Sequence, residues 1–253
     1  MGGYENFRMR METGGSTQRT EVINNTQRLL EFTFADDPSY IEEGVTIYGT
    51  NRVIKPRINQ QKFRLTSPFQ ASFQTLLHEP VYLGDVIPWP NRGYWICVES
   101  QNFHGMNWEG TLQFCNFFVR FLSPLSGEII EYPVSMQNAT QYGSGESPKP
   151  MMTLGSSQHL VSITCDEHTS LLKSGQRFLL DKNVVNPTAY RVTQIDTTSF
   201  AGGDVGSHGY LQLTVVEDRF NEKTDNRHEM IADMYKDETA SGDSLHEQPD
   251  KWI

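Results

Sequence analysis

Residues 82–100 read YLGDVIPWPNRGYWICVES. A Gly-Asp pair opens the stretch and a short apolar run, Val86-Ile87, follows. Pro88–Gly93 holds the residues of a turn, and Tyr94–Val98 supplies an aromatic and β-branched strand. Residues 174–196, SGQRFLLDKNVVNPTAYRVTQID, write the phrase again. There Gly175 answers Gly84, Phe178-Leu179-Leu180 answers Val86-Ile87, and Tyr190–Ile195 answers Tyr94–Val98. Chance likeness of two hairpins is the rival reading. A repeat at a spacing of about ninety residues predicts two related small β-barrels or sandwiches.

Working outward, the fold class is mainly β: two small β-barrel or sandwich modules, an N-terminal helical arm and an acidic C-terminal tail. The arm is residues 1–43. Gly14-Gly15 breaks the chain, and Ser16 or Thr17 caps a helix in which Val22, Ile23, Leu29, Leu30 and Phe34 fall near a 3.6 period. Its Thr and Asn content weakens it, so it needs a partner surface, and Asp36-Asp37-Pro38 ends it. The first β module is residues 44–125, with a long loop at 57–80 that lacks clear periodicity. Its strands are expected at Val45–Tyr48, Arg52–Pro56, Val81–Ile87 and Gly93–Val98, with one long aromatic strand at Leu112–Leu122. Residues 126–159 read as a linker or long loop, rich in Ser, Gly, Gln and Pro over 136–158. The second module is residues 160–217. The acidic tail, 218–253, holds a short helix at Asp225–Tyr235 with Met230, Ile231 and Met234 on one side.

The chain has 253 residues, 37% of them hydrophobic, enough for a sizeable core. It contains no apolar run long enough to span a membrane. MGGYENFRMRMETGG lacks the apolar centre of a secretory signal, and Asn6 departs from the myristoylation motif. Cys97, Cys115 and Cys165 are odd in number and lie at no CxxC spacing, which fits buried, reduced thiols. The net charge of −10 is uneven. Residues 45–125 carry 7 basic and 4 acidic side chains, whereas residues 126–216 carry 5 and 8, and residues 217–253 carry 5 and 11. A general nucleic-acid binder shows a stronger basic surplus.

Catalytic patterns fail one by one. His228-Glu229 begins a HExxH whose second histidine is Ala232. Cys165 and His168 have CxxH spacing but no second ligand pair. The Gly-rich stretches lack the lysine of a P-loop, and no nucleophile elbow is present. Trp89, Trp95, Trp108 and Phe103 could stack on sugar rings, against the plainer reading that Trp95 enters the core and Trp89 caps a hairpin. Arg52, Lys55, Arg57, Lys62 and Arg64 form a basic stretch suited to nucleic acid or an acidic partner, against an ordinary polar β face.

The helical start closing on TFADDPSY, the phrase LGDVI…YWICVES and the ending LQLTVVEDRFN…DN…MIADMY are similar to proteins of tailed bacteriophages. They resemble the head–tail connector class, in particular the stopper or head-closure (neck) family of long-tailed phages. A simple stopper is about one barrel long, so the second module leaves a collar-decorated stopper or another neck or tail protein open. The resemblance implies a non-enzymatic virion protein at the head–tail interface, made in the host cytoplasm, with no catalytic residue, metal or cofactor. It implies a homo-oligomeric ring, hexamer or dodecamer, contacting the portal or adaptor ring and tail proteins, with packaged DNA passing through and no membrane. Arg57, Lys62, Arg64, Phe69 and Phe73 are then candidates for a channel loop or partner contact. Leu29, Leu30, Phe34, Met230, Ile231 and Tyr235 are candidates for assembly arms. The alternative is a tail or baseplate β module that binds a receptor or carbohydrate.

Overall fold

A computed structural model describes residues 18–60, 69–138, 158–180, 187–199 and 209–235. The elements are α1 (Gln18–Thr33), a 3-10 turn (Phe34–Asp36), β1 (Val45–Thr46), β2 (Val53–Ile54), β3 (Arg57–Asn59), β4 (Gln70–Leu76), β5 (Val86–Trp89), β6 (Gly93–Phe103) and β7 (Asn107–Phe114). They continue with β8 (Phe117–Leu122), β9 (Ile129–Asn138), β10 (Gln158–Thr164), a 3-10 turn (Thr169–Leu171), β11 (Arg177–Leu179), β12 (Ala189–Asp196) and β13 (Tyr210–Asp218). The chain is mainly β and holds two β modules. β1 and β2 pair as a ribbon, five strands form a sheet in the order β3-β4-β7-β6-β5, and six form a sheet in the order β8-β9-β10-β13-β12-β11.

The two sheets share one plan. Moving β3-β4-β7-β6-β5 six strands along the chain gives β9-β10-β13-β12-β11, five neighbours of the second sheet in the same order. β4 meets β7 in seven pairs, from Gln70↔Gln113 to Leu76↔Asn107. β10 meets β13 in seven pairs as well, from Gln158↔Val216 to Thr164↔Tyr210. Gly84 and Gly175 both have positive φ, 83° and 90°, the region glycine enters without steric cost. The Gly84 N–H donates to the Cys97 carbonyl and the Cys97 N–H donates to that of Asp85, each at 2.8 Å. The Gly175 N–H likewise donates to Val192 (2.7 Å) and the Val192 N–H donates to Gln176 (2.8 Å). A β-bulge follows each time, between Cys97 and Glu99 and between Val192 and Gln194. These bonds equate Cys97 with Val192, so Trp95 answers Tyr190. The sequence phrases, aligned on tyrosine, are one residue out because Tyr94 and Tyr190 do not hold equivalent positions.

Four expectations change. Leu112–Leu122 is not one strand: β7 ends at Phe114 and β8 begins at Phe117. Asn116 turns the chain between sheets, its side chain donating to the Met136 carbonyl (3.0 Å) and accepting the Met136 N–H (2.8 Å). β8 therefore lies in the second sheet, not with the first module. Residues 126–159 contain a ten-residue strand, β9. It pairs with β8 through Val134 and with β10 from Ser135 onward, so Pro133 sits where only one neighbour is bonded. The stretch 57–80 holds β3 and β4, paired Arg57↔Gln74, Ile58↔Phe73 and Asn59↔Ser72, with Ala71, Phe73 and Thr75 pointing inward. Asp225–Tyr235 forms turns closed by an Asn226↔Ile231 bridge, not a helix. Met230 and Asp233 have φ of 55° and 53°, which a right-handed helix does not tolerate.

Each module has its own core. Ile47, Ile54, Ile58, Phe73, Ile87, Trp95 and Leu112 fill the first. Val119, Phe121, Val161, Ile163, Phe178, Leu213 and Val215 fill the second. Full burial of such a side chain contributes about 1.5–3 kcal/mol. A third cluster joins them, with Tyr210 of the second module packed among Val86, Ile96 and Cys115. At this seam the Gly84 turn lies against Gly209, whose carbonyl oxygen would be 1.7 Å from a Cβ at Gly84. The Thr164 hydroxyl donates to the Gly84 carbonyl (2.8 Å), and Gln113 Nε2 donates to the buried Ser135 hydroxyl (2.8 Å). The two sheets are thus bonded into one body.

Candidate functional site

Helix α1 stands at one end of that body and is fixed to it mainly by its C-terminal end. Arg57, on β3, donates Nε to the Phe34 carbonyl (2.9 Å) and a terminal nitrogen to that of Thr33 (2.7 Å). Its guanidinium lies 4.1 Å from the centre of the Phe34 ring. A cation on the last carbonyls of a helix is also favoured by the helix dipole. Further up the helix, Gln27 Nε2 donates to the Gly105 carbonyl in the β6–β7 turn. Phe34 is buried against Tyr40 and Leu30 is half-buried. The outer stripe is bare: Val22 is 59% exposed, Leu29 64% and Phe32 83%. Phe32, three residues beyond Leu29, belongs to this stripe, a relation the 3.6 period contains but which was not read from the sequence.

A groove of about 580 Å³ runs between α1 and the β6–β7 turn. Arg19, Val22, Ile23, Thr26, His104 and Met106 line it. A polar trough of about 410 Å³ crosses the outer face of the first sheet, with Asn59, Gln74, Glu99, Gln101 and Glu109 among its walls. Gly110 forms its floor, since any Cβ there would strike the Glu99 carbonyl.

The candidates picked from the sequence separate. Arg57 turns two of its donors to the helix end and lines the polar trough. Phe73 is core, 1% exposed. Phe69 is 52% exposed and stacks on Phe114 at 6.3 Å. Lys62 and Arg64 lie outside the described residues. Leu29 is on the open stripe, while Phe34 anchors the helix. Met230 and Ile231 are not a free arm: Met230 packs with Phe220 and Ala232 against Leu179 and Ala189 of the second module, and Ile231 is fully buried. Tyr235 remains half-exposed at the end of that segment. Among the aromatics weighed for sugar binding, Trp95 is core and Trp89 lies beneath the Arg92 guanidinium at 4.6 Å. The Trp108 indole donates to the Leu77 carbonyl (3.2 Å).

The strongest polar cluster was missed from the sequence. Arg177 pairs with Asp225 (2.9 Å), Asp233 (2.7 Å) and Asp218 (3.2 Å), and donates to the Arg219 carbonyl (2.6 Å). It binds the segment 219–235 to the second module. Burial alone would lower the pKa of this guanidinium, but hydrogen bonds and charges from Asp225 and Asp233 carry it upward. Burial also pushes the Asp225 carboxyl up, and the N–H groups of Asn221 and Asp233 with the Arg177 cation pull it below the usual range. Val86 holds the equivalent place in the first module, so only a basic residue inside an otherwise apolar phrase marked the difference.

The other titrating groups serve structure. Burial pushes the Cys115 thiol up to about 12, and that of Cys97 upward too, which keeps both protonated. Asp166 accepts the Tyr132 hydroxyl and the N–H groups of His168 and Thr169. Ser123 is bonded to His168 Nδ1 (2.9 Å), but its hydroxyl also takes the N–H groups of Leu125 and Ser126 as a turn cap. Among the described residues, no three metal-ligating side chains converge, and no helix is long and apolar enough to cross a membrane.

No family model matches the chain, and no curated protein matches it. A solved structure described as MrkH, a c-di-GMP-dependent transcription regulatory factor, is similar over 82% of this chain and 87% of that one. The identity is 9% and the TM-score 0.24, a likeness too slight to bear on fold or function.

Proposed function

We propose that this chain is a non-enzymatic structural protein of a tailed-phage neck, a subunit of a ring that closes the DNA-filled head and docks the tail. The observation that carries the reading is the bare stripe of α1: Val22, Leu29 and Phe32, held outward by a helix whose end Arg57 locks to a rigid body. An apolar stripe of this kind costs free energy in water and is covered by a neighbour in an assembled particle. The internal use of the buried charges supports a scaffold role, since Arg177 and Arg52 bind carboxylates within the chain. The net charge of −10 suits a conduit past which DNA slides. Portal, adaptor and tail proteins are the partners this reading requires.

The test is particle assembly with a Leu29→Asp/Phe32→Asp double variant. It should fold, by circular dichroism, but be absent from purified particles and leave heads that lose their DNA. Normal incorporation and full DNA content would overturn the reading.

The polar trough on the first sheet favours a second reading, a tail or baseplate module that binds carbohydrate, with amides and carboxylates facing sugar hydroxyls. Glycan-array binding lost with Gln101→Ala and Glu109→Ala would support it over the first.

A further inference from the structure

The shared plan of the two modules identifies two surfaces that the described residues leave unmatched. Within the chain, the Gly84 turn of the first module seats on the end of the β10–β13 ladder, at Thr164, Gly209 and Tyr210. The equivalent turn of the second module is Lys173–Gln176. A Cβ on its Gly175 would meet nothing within 4 Å, and Lys173, Ser174 and Gly175 are exposed. The equivalent ladder end in the first module is the last β4–β7 pair, Leu76↔Asn107, by count of the seven pairs in each ladder. Met106 then takes the place of Gly209. Met106 lines the open groove beside α1. Each half of the internal joint therefore recurs once on the opposite module, with no second module seated on it among the described residues and only α1, through Gln27 and Gly105, beside the ladder end.

Both recurrences carry exposed apolar side chains. Leu171, two residues before the turn, is 41% exposed. At the ladder end Leu77 is 39% exposed, Phe103 41% and Val22 59%.

We propose that the occupant of the α1 groove is a second copy of this chain, entering with its Leu171–Gln176 turn. The contact repeats between subunits the joint already made within one. It uses two different patches, so it is heterologous and propagates in one direction, closing into a ring when the rotation allows. This inference rests on self-assembly, one element of the neck reading, and not on the phage assignment.

Single-cysteine additions at exposed sites test it without disturbing the core. Ser174→Cys and Val22→Cys chains, mixed one to one and oxidised, should give mainly a cross-linked heterodimer. Its yield should be at least tenfold above that from Ser174→Cys mixed with a Thr198→Cys control. A predominance of Val22→Cys homodimers would show helix-to-helix pairing and overturn the proposal, as would a heterodimer yield equal to the control. Sedimentation of Leu171→Asp and Val22→Asp chains gives the second readout. Each alone should lose self-association at least tenfold, and their mixture should recover one-to-one dimers. If wild-type copies associate but neither variant weakens them, this contact is wrong while self-assembly stands. A particle that lacks the chain would sink the neck reading and leave the cross-link result intact.

Discussion

Gly84 and Gly175 occupy the same place in two equivalent turns, with nearly the same φ and the same pair of backbone bonds to the neighbouring strand. Only Gly84 touches the other module, its Cα facing the Gly209 carbonyl. One turn has become an internal joint and the other remains on the surface. The C-terminal segments differ in the same spirit. At the position of Val86, the second module has Arg177, and through it recruits seventeen further residues, 219–235, as a cover over Leu179 and Ala189. Duplicated strand order thus fixed the frame, while single side chains decided what each copy binds.

The comparison can be broken most severely at Arg177. Arg177→Ala leaves Asp225, whose side chain is fully buried, without its cation, and loss of one partner of a buried pair costs about 3–5 kcal/mol. Urea unfolding should show that loss, and limited proteolysis should cut the segment 219–235 first. Gly84→Ala comes next. It places a Cβ against Gly209 and forces a side chain into positive φ, together about 3 kcal/mol, also read by urea unfolding. The matched change Gly175→Ala meets only the backbone strain, about 1 kcal/mol. Equal losses at the two glycines would mean that the joint is not where the structure places it.

Acid offers a milder probe of the same asymmetry. The pKa of Asp225 is held below its ordinary value of 3.8 in the fold. Its contribution is therefore complete above that value and is lost as pH falls through the lower, folded pKa. Protease sensitivity of the C-terminal segment should rise below about pH 4, while the first module's near-ultraviolet signal from Trp95 holds. The smallest expected effect belongs to Gln113→Ala. The Ser135 hydroxyl then loses one bond at the seam, for about 1 kcal/mol in thermal unfolding.

The repeat was legible in the sequence because its physical cause is local. A turn with positive φ needs glycine, and the strand beside it needs β-branched and aromatic residues. Where tertiary partners decide, sequence reading failed for reasons that can be named. Asn116 is a polar residue in an apolar run, and its two bonds to Met136 are made by a strand twenty residues away. Pro133 is a residue that a paired strand interior disfavours, yet it is tolerated in the part of β9 bonded on one side. The apolar set Met230-Ile231 suggested a helix, but Arg177 draws Asp225 and Asp233 into turns instead. For the site, the helix stripe was half visible through Leu29 and its period. The role of Arg57 was not, because nothing in a basic stretch says that its donors are taken by carbonyls 23 and 24 residues upstream.

The strand order also sets how the chain must fold. In each module the fifth strand of the unit returns to pair with the second, so β4 and β7, or β10 and β13, meet around an enclosed hairpin. Forming β5–β6–β7 and β11–β12–β13 first shortens the loops that remain to be closed, so these two meanders are the nuclei that loop entropy favours. Kinetic φ-values should be high at Ile96 and Val192, inside the meanders, and low at Ala71 and Val161, on the strands that zip up last. The Gly84–Gly209 joint links turns far apart in sequence, so loop entropy has it form after both halves have taken shape.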